Sequence, residues 1–181
     1  MPKKADFNIV TAVAALVIVL IISFSSYYLY KRFGVDAPLE KKIEALEGVA
    51  DSKATRLKDG YEIDINMKKV ANLQEAYTSI DRAVRDSLPQ KEYSLHLTDK
   101  PNQSLQDFMQ HMQPAVFESL AANRFIWLDQ ELSRRTQEAG LQYKLFVDQE
   151  HLYLQVEDGE NYIYQIIDRE KNQTNMPVGA S

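Results

Sequence analysis

Three histidines, His96, His111 and His151, are the side chains best suited to hold a metal or move a proton near neutral pH. No two of them stand three or four residues apart, the spacing that puts two ligands on one helix face. No metal site is read from them. Carboxylates are more plentiful, and Asp148, Glu150, Glu157, Asp158 and Glu160 gather at two turns near the C-terminus, where together they predict an acidic rim. The Asp-x-Asp-x-Asp-Gly order of a calcium loop is missing, so solvated turns are favoured over a cation site. The chain also lacks a Gly-x-Ser-x-Gly elbow, a Ser-x-x-Lys pair and a Gly-rich phosphate loop. With no cysteine, thiol nucleophiles, thiolate metal sites and disulfides are excluded together. The expectation is no catalytic residue, no metal and no cofactor.

Aromatic side chains carry more information. Tyr143, Phe146, Tyr153, Tyr162 and Tyr164 fall in the last three strand-like segments, where such residues bury much area at small entropic cost. They are the candidate interaction surface. The competing reading is that strands favour Tyr and Phe, and that helices nearby cover the same face.

The elements that would position these residues are marked by periodicity. Leu39, Ile43 and Leu46 recur at helical spacing between Pro38 and Gly48. A weak strand over 52–58 and a strong one over 61–67 follow, joined by Asp59-Gly60, with Tyr61, Ile63, Ile65 and Met67 on one face. A helix over 73–88 has Asn72 and Glu75 at capping-box spacing, and a strand over 93–97 alternates Tyr93, Leu95 and Leu97 with Ser94 and His96. Beyond Pro101, helical patterns run from Ser104, interrupted at Pro114, and over 124–139 up to Gly140. Three strands over 141–147, 152–157 and 162–168 then form a meander, with Asp158-Gly159 at its second turn.

The order α, β, β, α, β over residues 39–101 predicts a small module of the split-βαβ, ferredoxin-like kind. The runs LEGVADSKATRLKDGYEIDINM, NLQEAYTSIDRAVRDSL and YSLHLTDKP resemble the soluble C-terminal module of cation diffusion facilitators, and similarly the ring-building modules of secretion and sporulation machines. His96 falls where the transporter module often carries a strand histidine. The resemblance implies a fold and a tendency to self-associate. It does not imply metal transport, since the six-helix transport domain has no counterpart in this sequence.

Ahead of these modules, residues 7–30 carry no charge and are mostly apolar. As a helix they reach about 36 Å, against a hydrocarbon core of about 30 Å. The expectation is a retained membrane span, with Tyr27, Tyr28, Tyr30, Lys31 and Arg32 at the interface where it leaves lipid. The short basic N-terminal tail favours a body facing away from the cytoplasm.

The predicted class is therefore α+β: a tail over 1–6, a transmembrane helix over 7–30, a linker over 31–38, the αββαβ module over 39–101, helices with a three-stranded antiparallel meander over 102–170, and a disordered tail over 171–181. A formal charge of −5 argues against broad nucleic-acid binding, which needs clustered cations. The expected role is a non-catalytic, single-pass interaction or assembly module of a bacterial envelope complex, with the bilayer and other membrane or envelope proteins as partners and a homo-oligomer as one arrangement. A membrane-tethered sensor or ligand-binding module is the alternative, and an enzyme of unrecognised family the second.

Overall fold

The computed structural model describes residues 9–31 and 36–169, with side chains in the first stretch described over 12–26. Helix α1, Ile9–Lys31, opens the described chain, and Val13, Leu16, Ile18, Ile22 and Phe24 stand exposed along it. The membrane-span expectation is corrected at this point. Among the described residues no helix is long and apolar enough to cross a membrane. The transmembrane, single-pass and signal-anchor assignments, the outward-facing body and the cell-membrane location are set aside with it. Tyr27, Tyr28, Tyr30, Lys31 and Arg32, assigned to the interface from the sequence, lie outside the described side chains.

The remaining elements form an α+β body. Helix α2, Ala37–Glu44, carries Pro38 in its first turn, where a missing N–H costs nothing. The chain then reverses through Gly48, whose φ of +86° favours glycine, and whose missing side chain leaves room for Val70. Strands β1, Val49–Arg56, and β2, Gly60–Met67, pair antiparallel, with Ala54 opposite Ile63. Helix α3, Leu73–Ser87, starts at Asn72, whose side chain accepts the Glu75 N–H as the capping-box spacing predicts. It leads into β3, Glu92–Thr98, which pairs parallel with β2. Gly60 is set by that pairing, because a Cβ there would lie 2.4 Å from the Glu92 carbonyl oxygen.

The parallel contact corrects the split topology. With the order β1-β2-β3, no strand separates β2 from β3, so the crossover through α3 is an ordinary adjacent βαβ unit. Periodicity marks strands but does not say which edge a returning strand will choose.

Helix α4, Gln103–Ala122, is continuous through Pro114 and is capped by Asn102, not by Ser104. Its end is Asn123, in a left-handed conformation, after which α5, Phe125–Ala139, runs to a left-handed Gly140. Strands β4, Gln142–Val147, β5, His151–Asp158, and β6, Asn161–Asp168, form a second antiparallel sheet in the order β4-β5-β6.

Two cores meet at β5. Leu152, Leu154 and Val156 join Leu128, Leu132, Met112 and Val116 beneath α4 and α5. On the opposite face Tyr153 joins Ile63, Ile65, Ile80 and Val84, with Phe146, Tyr164 and Ile166 packed alongside. Residues 152–157 are therefore buried without a break, although their alternation of apolar and polar types reads as a half-exposed strand.

Candidate functional site

One edge strand of each sheet, β3 and β6, meets the other at one point. The Tyr162 N–H donates to the Lys100 carbonyl at 3.0 Å in an isolated antiparallel bridge, and from there β3 and β6 part. Between them lies a cleft of about 490 Å³, walled by Tyr93 to Leu97 on one side and by Tyr164, Ile166 and Asp168 on the other. Tyr77 of α3 and His151 also line it. A neighbouring hollow of about 370 Å³ shares Tyr77 and His151 and adds Asp81, Arg82, Arg85, Asp148 and Glu150.

The bridge goes no further because of Asp99. In a continued antiparallel ladder the Tyr164 N–H would donate to the Thr98 carbonyl, two residues along each strand from the existing bond. It donates instead to Asp99 Oδ2 at 2.8 Å. This carboxylate takes the place of a strand carbonyl and ends the pairing, and burial pushes its pKa up despite the N–H it accepts.

At the cleft floor, Tyr77 meets His151 and Tyr153 edge-on, with centroids 5.4 Å and 5.8 Å away. Burial, assisted by the charge of Asp81, pushes the Tyr77 hydroxyl up to about 12. Tyr153 donates to Asp148 Oδ2 at 2.8 Å, and burial together with that carboxylate raises it as well. Asp148 accepts the Glu150 and His151 N–H groups through Oδ1, which closes the β4–β5 turn. Burial alone would raise its carboxyl, but these donors outweigh burial and hold it below the usual range. The Tyr–Asp–His cluster is thus a turn lock, and the raised pKa values of Tyr77 and Tyr153 keep those two hydroxyls protonated at neutral pH.

The five aromatics singled out from the sequence do not form one open face. Tyr143 sits against α5 and donates to the Asp129 carbonyl and carboxylate. Phe146 and Tyr153 pack in the core shared with α3. Tyr162 donates to the Met67 carbonyl, while Tyr164 donates to that of Lys68 and accepts the Val70 N–H. Lys144 reaches the Ala71 carbonyl, Lys69 pairs with Glu157 at 2.7 Å, and Gln155 bonds both Val70 and Leu73. The meander therefore clasps the β2–α3 loop, residues 67–73, with its polar side chains. Four of the five aromatics serve an interface, but one inside the chain. Of the five, Tyr164 also lines the cleft and Tyr153 the neighbouring hollow.

Asp148 and Glu150 lie at one end of β5, Asp158 and Glu160 at the other, about 26 Å apart for eight residues of strand. The predicted acidic rim does not exist as a unit. Glu157 turns inward to Lys69, and Asp158 accepts from Asn102. His96 lies 3.2 Å from Glu62 on the outer face of the first sheet, and His111 contacts the Asp107 carbonyl on α4. Among the described residues no group of three or more His, Asp or Glu side chains is placed to hold a metal ion.

The cleft itself was not anticipated from the sequence, because it depends on which edges the two sheets turn toward each other. The one local signal was Asp99-Lys100-Pro101, a polar break just after β3. No family model matches the chain, and no curated protein or solved structure is significantly similar to it.

Proposed function

We propose that this chain is a non-catalytic protein-association module, and that its contact side is the flank where β3 and β6 part. The observation that carries this reading is the pair of strand edges left open beside each other over an aromatic floor. Sheet edges attract other chains, and proteins cover those they do not use. Here α2 lies over the β1 edge, where Glu40 Oε1 accepts the Ala54 N–H at 3.0 Å and Glu44 Oε1 accepts that of Ser52 at 3.4 Å. Among the described residues the cleft edges have no such cover. Raised pKa values at Tyr77 and Tyr153 make these two hydroxyls poor nucleophiles at neutral pH.

The test is a photo-reactive residue placed at Ser94 or Thr98, both exposed on β3, or at Glu118, exposed on α4. In cells that make the full chain, discrete adducts from the β3 positions and none from Glu118 are expected. No adduct from any position would end the reading.

A further inference from the structure

The open flank has a backbone pattern that says what kind of chain it takes. Strand residues alternate the direction of their N–H and C=O groups with a period of two. The Lys100 carbonyl points at β6, so Thr98, His96 and Ser94 present their backbone groups to the same side. On β6, the N–H groups of Tyr162 and Tyr164 point at β3, and that of Ile166 follows in the same phase. Beyond the bridge β3 and β6 share no ladder. We infer that the β3–β6 cleft is a strand acceptor, which binds an extended segment of a partner chain through the backbone groups of Ser94, His96, Thr98 and Ile166.

The inference rests on the association reading above and gives it a partner chemistry. Residues 94–98 span roughly 16 Å, room for about five extended residues. Side chains of the guest that turn inward would meet Tyr77, Leu95, Leu97 and Ile166, whereas the alternate ones would face water. The matching segment alternates apolar and polar residues, as in other cases of strand addition. A second copy of this chain is the competing occupant, and protection of the same amides by dimerisation alone would reveal it. Asp99 has a part in this arrangement. By holding the Tyr164 N–H it keeps the two edges from closing on each other, which preserves the gap for a guest.

The test begins with a displayed library of random twelve-residue peptides selected on the full chain. Synthetic versions of the selected peptides are expected to slow amide exchange at least tenfold at Ser94, His96, Thr98 and Ile166, and not at Ser52 or Ala54 on the covered β1 edge. His96→Pro removes an outward N–H at a free edge, a position where proline is tolerated, and should weaken binding at least tenfold. Peptides N-methylated at alternate residues should lose binding by the same factor, a result that does not depend on how any variant folds. The assignment is overturned if the library yields no binder, if binders leave those amides unprotected, or if N-methylation leaves affinity unchanged. It is also overturned if the chain protects the same amides by dimerising alone. Cross-links from Ser94 or Thr98 to a partner whose binding ignores N-methylation would leave association standing and remove the strand acceptor. Absence of any partner would remove both.

Discussion

Gln155 is fully buried, and its Nε2 donates to the Val70 carbonyl at 2.7 Å while its Oε1 accepts the Leu73 N–H at 3.3 Å. One side chain on β5 thus satisfies a carbonyl of the loop that leads into α3 and one of the N–H groups that every helix start leaves unpaired. Gln155→Leu fills the same space and strands both groups. At roughly 1–3 kcal/mol for each buried orphan, partly offset by the apolar side chain, the expected loss is about 3 kcal/mol. Urea denaturation measures it, and a loss under about 1 kcal/mol would mean that the clasp around residues 67–73 contributes little.

Glu157 gives the same clasp a pH dependence. Burial would raise its carboxyl, but hydrogen bonds from Lys69 and Gln155 outweigh burial and hold it below the usual range. A group whose folded pKa is depressed stabilises above its unfolded pKa, and that stability is lost as pH falls through the folded value. Stability should decline below about pH 4.5, and Glu157→Gln should flatten the decline by at most one proton, ~1.4 kcal/mol per pH unit. Urea midpoints between pH 7 and pH 3 decide this.

Asp99 acts with the opposite sign. Burial raises its folded pKa, so its contribution is fully present below the unfolded value and is lost as pH rises through the folded one. Asp99→Asn keeps an acceptor for the Tyr164 N–H and removes the titration, so acid should destabilise this variant more steeply than the parent. Asp99→Ala removes the acceptor, and amide exchange at Tyr164 is expected to quicken about tenfold, the effect of roughly 1.4 kcal/mol. Unchanged exchange in the alanine variant would show that the carboxylate does not hold that amide.

Local elements were readable because their signals are local. Asn72 caps α3, Gly140 ends α5 and Gly159 turns β5 into β6, each through chemistry within a few residues. What could not be read was long-range. Gln155 and Glu157 look like the solvated face of a strand, and only the return of residues 68–73 to their side makes them buried. The tyrosines of β6 suggested an open surface because nothing in their own segment shows that the Met67 and Lys68 carbonyls wait for them. The pairing of β3 beside β2, and so the cleft, follows from the crossover and not from either strand's composition.

Tyr153 separates packing from hydrogen bonding. Its ring is 2% exposed among α3 and β2 side chains, whereas Asp148 keeps the Glu150 and His151 N–H groups and the Gln74 amide whether or not the hydroxyl is present. Tyr153→Phe should cost no more than about 1 kcal/mol, and Tyr153→Ala about 3–5 kcal/mol. Equal losses in thermal or urea unfolding would place the stabilisation in the hydroxyl and not in the ring.

Gly48 and Val70 form a pair that only a double substitution can resolve. A Cβ at position 48 would lie 2.2 Å from Val70 Cγ1, and the backbone φ of +86° is itself unfavourable for an L-residue. Gly48→Ala should therefore cost the conformational term of roughly 1–2 kcal/mol plus the displacement of Val70. Val70→Ala removes the obstructing methyl but leaves the φ unchanged. In the double variant the summed loss should fall short of the two single losses by at least about 1 kcal/mol, the coupling expected for residues in contact. A double-mutant cycle in urea measures that difference, and strict additivity would mean that Val70 moves aside freely and that backbone conformation alone requires the glycine.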